Sequence, residues 1–338
     1  MHRRISERAS NIPVAEGGLK RSLSLRRMRE PLSARKLELE PKIARRHSQS
    51  SQDQIAKNVV GALLPHNDFG LDQYCEDMFT YSRRLEEKVM SFPEDWIRKL
   101  TIESRMREIL VDWFYQVLNR LQLLPETMNL TIHILNVAVQ RLHVDKNNLQ
   151  LVGITCMFVA AKYEELYPPS IEDFVSISGN CFSKEDMRSA EVKILKALKF
   201  SLSIPYLINF IRRGSTVLKK QNGTGAARIH SMAKMISEIA LIDSTLCHLL
   251  PSLSAAVSIY IAMKIQRRPW NNALMMVAMG YDESQLQRVA RQFVKPILAW
   301  TSPKHRLQAL REKYNTAKAG NVATLTVDQR DALCELAL

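Results

Sequence analysis

The sequence predicts an all-α protein. Apolar residues recur at helical spacing from about residue 74 almost to residue 314, and helix-stopping pairs such as Leu124-Pro125, Tyr167-Pro168-Pro169 and Asn222-Gly223 interrupt the recurrence. No segment shows the strict alternation of a half-buried strand. The chain has 338 residues, more than one core normally supports, so more than one domain is expected. With 46% apolar and 24% charged residues it has the composition of a globular protein that buries a core.

Residues 1–64 mix Arg, Ser and Pro with scattered Leu and lack a sustained apolar period. The first 60 residues hold 14 Lys and Arg against 6 Asp and Glu, and so carry more than half of the net charge of +14. Such a segment cannot bury enough apolar surface to offset the entropy lost on ordering, so a disordered basic tail is expected over 1–64.

The next strong helical segment begins near Met106. At about 100° per residue, Met106, Ile109, Leu110, Trp113 and Val117 form one apolar stripe, and Val111, Phe114, Tyr115 and Leu118 a second beside it. Glu108, Asp112, Gln116 and Asn119 share the remaining face. Either both stripes face a core, or one is left over as a binding groove. Arg107 falls within the second stripe, where an unpaired charge is costly, so it requires a hydrogen-bonding partner.

Residues 149–162 are apolar on every face and include Gly153, Ala160 and Ala161, small enough for close helix approach, which predicts the buried central helix of a bundle. The segment ends on Lys162, a position that is either solvated beside the terminal carbonyls or a contact point. Ser170 precedes a short periodic run over 171–177, and Ser183-Lys184-Glu185-Asp186 has the form of a capping box, with Asp in place of the usual Glu, before 187–198. Residues 251–264 (PSLSAAVSIYIAMK) line up with 149–162 (LQLVGITCMFVAAK) at a constant offset. Two similar helical domains in tandem are therefore expected, over 70–202 and 205–318, with 319–338 a C-terminal extension.

The five cysteines, Cys75, Cys156, Cys181, Cys247 and Cys334, form no Cys-x-x-Cys pair and read as reduced intracellular thiols. The amino terminus is charged where a signal peptide would be apolar, and the longest nearly apolar stretch, 151–161, is too short to span a bilayer, so a soluble protein without a membrane partner is expected. There is no glycine-rich phosphate loop, no metal-ligand spacing and no nucleophile with a placed base, which argues against an enzyme and against a cofactor or metal. A helical scaffold would need its repeat more than twice.

Met106-Arg107-Glu108-Ile109-Leu110-Val111-Asp112-Trp113 resembles the signature helix of the cyclin box. Leu149-Gln150-Leu151-Val152 through Ala161-Lys162-Tyr163-Glu164-Glu165-Leu166-Tyr167-Pro168-Pro169 resembles its third helix and exit. Residues 74–85 are similar to the leading helix, Phe210-Ile211-Arg212-Arg213 to the start of the second box of B-type cyclins, and Leu250-Pro251-Ser252-Leu253 and 307–314 to its later parts. The likeness runs from about residue 72 to residue 314. It implies two tandem five-helix cyclin-box domains after the disordered basic tail. The implied function is a non-catalytic subunit that binds and activates a cyclin-dependent protein kinase and recruits substrates at G2/M, in nucleus and cytoplasm. The alternatives are an A-type cyclin acting in S and G2, or a transcription factor of the same fold. The latter usually begins with a zinc ribbon, which the sequence lacks, so no direct nucleic-acid binding is expected.

The resemblance also assigns residues. Lys162 and Glu191 would hydrogen-bond the kinase, and Val159, Tyr163, Leu195 and Leu202 would receive its movable helix. Met106, Ile109, Leu110 and Trp113, with Gln116 and Gln150, would dock Arg-x-Leu motifs of substrates or inhibitors. Cyclins often have Glu at Gln116, which meets the Arg of the motif. They usually have Asp-Arg at Asn136-Val137, where the Asp neutralises the buried Arg matching Arg107 and orients the Lys matching Lys162; Glu164 or Glu165 is an alternative acid. Arg29-Glu30-Pro31-Leu32 matches a minimal destruction box, a route to a ubiquitin ligase through the tail, or else is a basic nuclear-targeting or solvating stretch.

Overall fold

The computed structural model describes residues 74–90, 92–222 and 225–337. The tail expected over 1–64, with Arg29 and Leu32, lies outside the described residues. Among the described residues, thirteen α-helices and two short 3₁₀ segments make up the regular structure, with no strand.

The first bundle comprises α1 (Cys75–Val89), a 3₁₀ turn (Trp96–Lys99), α2 (Ser104–Leu121), α3 (Pro125–Arg141), α4 (Leu149–Glu164), α5 (Ile171–Ile177) and α6 (Lys184–Ala197). Helix α4 is its axis, in contact with α2, α3, α5 and α6 and buried at every position from Val152 to Ala161. Gly153 is required there: a Cβ would stand 2.8 Å from Leu110 Cδ2 and 3.0 Å from Phe114 Cζ, so α4 and α2 approach only because this side chain is missing. Both expected start signals are capping boxes. Ser170 Oγ accepts from the Asp173 N–H at 3.2 Å while Asp173 accepts from the Ser170 N–H at 2.8 Å, and Ser183 and Asp186 do the same at 3.1 and 3.0 Å. Asp therefore serves in place of Glu.

The second bundle comprises α7 (Leu207–Asn222), α8 (Ala226–Ile242), α9 (Pro251–Ile265), α10 (Asn272–Met279), α11 (Glu283–Trp300), α12 (Ala309–Tyr314) and α13 (Val327–Glu335). Its axis is α9, surrounded by α7, α8, α11 and α13. Helices α3 and α9 both begin with Pro at the first turn, preceded by an extended Leu, which uses the position where a missing N–H costs nothing. The second bundle continues past residue 318. Thr326 and Gln329 form a capping box for α13, and Val322, Ala323, Leu325, Ala332, Leu333 and Leu336 are buried in the core.

Charged side chains of the first bundle cap helix ends of the second. Arg107 of α2 donates to the carbonyls of Ile242 (2.8 Å) and Leu241 (2.9 Å) at the C-terminus of α8. Asp112 of α2 accepts from the Ala309 N–H at the start of α12 (3.1 Å), and Glu86 of α1 accepts from the Ser252 N–H in the first turn of α9 (2.8 Å). Each sign matches the helix end it meets, positive at a C-terminus and negative at an N-terminus. Burial pushes the Asp112 and Glu86 carboxyls above their ordinary range, Asp112 being 4% and Glu86 0% exposed. Helix α1 is also held to the second bundle by Arg213, which pairs with Glu76 at 2.7 Å and lies 4.2 Å from the Phe79 ring centroid.

Candidate functional site

Two surfaces of the first bundle hold the residues singled out by sequence. The first lies where the C-terminal end of α4 meets the middle of α6. Lys162, in the last turn of α4, forms an ion pair with Glu191 of α6 and stands 4.3 Å from the ring centroid of Phe158, one turn earlier. The pair is open to solvent on the lysine side. Tyr163 follows Lys162 directly on α4, and Leu195 lies one turn beyond Glu191 on α6. Tyr163 is 50% exposed, while Leu195 and Leu202 are partly buried. Val159 sits beneath them and belongs to the core at 3% exposure, so it supports this face rather than presenting itself on it. Beyond α4 the chain turns outward, and Leu166 and Tyr167 are 83% and 88% exposed, a concentration of apolar surface unusual for a single chain in water.

Sequence reasoning missed Phe200. It follows Lys199 in a left-handed backbone, φ 57° after φ 52°, and is exposed. Two successive non-glycine residues with positive φ carry strain, and here the result is an aromatic ring held out of the core two residues before Leu202. Only the tertiary context distinguishes this Phe from a core Phe.

The second surface is a cleft of about 280 Å³ between α2 and the start of α4, lined by Met106, Ile109, Leu110, Trp113, Lys146, Leu149 and Gln150. The two stripes of α2 thus have different fates. Val111, Phe114, Tyr115 and Leu118 are buried, whereas Ile109 is 48% exposed and Met106 and Trp113 are partly so. Leu110 and Val117, from the outer stripe, are buried beneath them. Gln116 is exposed but does not line the cleft, contrary to the grouping expected for it. Lys146 and Leu149 do line it; the turn before α4 brings them there, which no periodicity within α2 could reveal.

Arg107 is fully buried, and it has the partners its position required. Besides the two carbonyls of α8, its Nε donates to Asn136 Oδ1 at 3.0 Å, and its guanidinium carbon lies 5.9 Å from the Trp96 ring centroid. Two carbonyl dipoles and an amide replace the carboxylate. Neither acid considered as a substitute reaches it. Glu165 accepts from the Leu124 N–H at 2.8 Å, and Glu164 accepts from the Tyr206 hydroxyl. Asn136 does not hold Lys162 either, since Lys162 is bound to Glu191. Among the described residues no group of three His, Cys, Asp or Glu is placed to hold a metal ion, and no helix is long and apolar enough to cross a membrane.

The sequence pattern of the cyclin N-terminal domain matches residues 77–203, and that of the cyclin C-terminal domain matches residues 205–328. Among curated relatives, a G2/mitotic-specific cyclin-B of Marthasterias glacialis is 36% identical over 296 residues, which is 85% of this chain and 74% of the relative. A G2/mitotic-specific cyclin-B1 of Xenopus laevis is 34% identical over 266 residues, 78% of this chain and 65% of the relative. Among solved structures, a viral cyclin from herpesvirus saimiri superposes with a TM-score of 0.54 at 19% identity, covering 65% of this chain and 97% of that one, a likeness of fold. The sequence identity extends through both bundles and is not confined to the cleft or to the paired helix ends, and the chain therefore belongs to the cyclin family.

Proposed function

We propose that this chain is a regulatory subunit, without chemistry of its own, that binds and activates a cyclin-dependent protein kinase and controls mitotic progression at G2/M. The observation that carries this reading is the Lys162–Glu191 ion pair between the last turn of α4 and the middle of α6, with Tyr163, Leu166 and Tyr167 exposed just after Lys162 and Phe200 exposed just after α6. A partner helix laid on it buries apolar surface at about 25 cal/mol per Å² and finds two charged groups able to exchange their mutual bond for bonds to the partner. Val159 supports the floor, and Leu195 and Leu202 complete the apolar part. The relatives are named as mitotic B-type cyclins, which favours that class over an A-type or a transcription factor. The groove on α2 is read as the site that docks the apolar residues of Arg-x-Leu-type motifs in substrates or inhibitors. Nucleus and cytoplasm are the compartments this role calls for.

Co-purification with a cyclin-dependent kinase, followed by phosphorylation of a histone-type substrate, tests the reading. Wild-type chain should form the complex and raise the kinase activity, and Lys162→Ala with Glu191→Ala should weaken binding by at least about tenfold, the equivalent of one charge-assisted hydrogen bond. Wild-type binding by the double variant, with its melting temperature unchanged, would remove this face from the account.

A further inference from the structure

We propose that Ser302, in the connection between α11 and α12, is a phosphorylation site for a protein kinase that requires proline after its acceptor, and that Arg311 holds the phosphate once it is attached. The site does not depend on the kinase-activating role. Of the 13 prolines in the sequence, Pro303 alone follows a Ser or Thr. Proline has no N–H to satisfy, so a kinase pocket that offers no acceptor at that position admits it and disfavours other residues. It also keeps the preceding serine out of the helical region. Ser302 is partly exposed, and Pro303, Lys304 and Arg306 are exposed, in a connection of eight residues, 301–308, that contains no helix. In the transfer, the Oγ–P bond forms as the bond from the γ-phosphorus to the bridging oxygen of a nucleoside triphosphate breaks. Nucleoside diphosphate leaves, and the hydroxyl proton passes to the base of the kinase.

The surrounding sequence is basic: residues 284–311 hold six Lys and Arg and no Asp or Glu. Arg311 of α12 reaches back to this connection. Its Nε donates to the Thr301 carbonyl at 3.4 Å, which brings the guanidinium to the residue before Ser302. That carbonyl is a neutral partner, so the guanidinium keeps its full charge and further N–H donors for an anion. The acids of other elements packed against the connection and α12 are bonded already. Asp112 of α2 accepts from the Ala309 N–H, Asp243 after α8 accepts from Trp300 Nε1 at 3.0 Å, and Glu238 of α8 pairs with Lys313 at 2.7 Å. Glu312 follows Arg311 and is exposed. The carbonyl end of α11 opposes a negative group just past its last turn, so an anion is favoured there only with a cation beside it. Arg311 supplies that cation, and the Lys304 N–H, already donating to Ser302 Oγ at 3.3 Å, is a second donor at the same place.

The test is incubation of the full chain with ATP and a purified proline-directed kinase, followed by mapping of the modified residues by mass spectrometry. A mitogen-activated protein kinase is used in one arm and a cyclin-dependent kinase in the other. Ser302 should carry phosphate in at least one arm, and the arms identify the class of kinase. Ser302→Ala should remove the phosphopeptide, and Pro303→Ala should lower its yield by about tenfold or more. A free peptide of residues 298–309 controls for the kinase. Phosphate on the peptide but not on the folded chain, or on neither, overturns the site, as does an equal yield from Pro303→Ala. The role of Arg311 is read from the phosphorus resonance of the modified chain titrated with pH. The second phosphate pKa, ordinarily about 6, should be lower by about 0.5 or more, return toward 6 in Arg311→Gln and stay low in Arg311→Lys. A value that Arg311→Gln leaves unchanged overturns the clamp.

Discussion

The two bundles end their central helices in the same way and use the result differently. Lys162 closes α4, stands over Phe158 one turn back and pairs with Glu191; Lys264 closes α9, stands 5.1 Å from the Tyr260 ring centroid one turn back and pairs with Glu283 at 2.9 Å. Around Lys162 the surface is bare. Beside Lys264 lies the chain's own α13, which buries Ala332, Leu333 and Leu336 and is fastened by Glu335 to two Arg267 nitrogens at 2.6 and 2.8 Å, although the Lys264–Glu283 pair itself stays about as open as the Lys162–Glu191 pair. The position after each lysine shows the difference in one residue: Tyr163 is half exposed and Ile265 is buried. Charge divides the bundles too, since residues 70–204 hold 16 Lys and Arg against 19 Asp and Glu, and residues 205–338 hold 18 against 8. A repeated framework therefore sets where a lysine and its acid meet, and the copies differ in the apolar surface beside the pair, which is exposed next to Lys162 and packed against α13 next to Lys264.

The largest expected effect breaks this comparison directly. Lys264→Ala with Glu283→Ala should leave kinase activation at the wild-type level, while the corresponding change at Lys162 and Glu191 should nearly abolish it. An activation assay with both double variants measures the asymmetry; equal losses would mean that α13 does not screen the second site.

A smaller effect concerns stability. Leu333→Ala, a fully buried residue of α13, should cost about 2–5 kcal/mol by the lost transfer energy and the cavity left behind. Tyr163→Ala, on the bare counterpart, should fall within about 0.5 kcal/mol of wild type in the free chain. Urea unfolding of both variants sharpens the contrast, and a similar cost for each would show that the first bundle's face is covered in solution.

The effect with the narrowest window is the pH response at His133. His133 of α3 is buried, and burial, aided by the charge of Arg141, lowers it from an ordinary 6.5 to about 4. Its folded pKa is depressed, so this stability is present above about 6.5 and lost as pH falls toward 4, by about 1.4 kcal/mol per unit. Glu86 and Asp112, raised by burial, act in the opposite sense over the carboxylate range. The readout is therefore the difference between wild type and His133→Gln in chemical unfolding from pH 7 to pH 4, expected to narrow as pH falls. A constant difference would place His133 in contact with water.

The helical class, the two central helices, the capping boxes at Ser170 and Ser183 and the need of Arg107 for partners were all legible in the sequence, because each depends on residues within a few turns of one another. Spacing alone could also identify two stripes on α2. Which stripe would be buried depended in part on α8 and α12 arriving from more than a hundred residues away to cover Tyr115. The partners of Arg107 were likewise beyond local reasoning: backbone carbonyls carry no sequence signature, and the acids that residue type offers as substitutes, Glu164 and Glu165, bond elsewhere. Lys146 joined the groove through a turn, Phe200 left the core through two left-handed residues, and α13 closed one of two equivalent faces. Local pattern determines which elements form and which of their faces are apolar. Whether an apolar face becomes core or contact surface is settled only when distant elements compete to cover it, since burial is a property of the assembled neighbours and not of the residue.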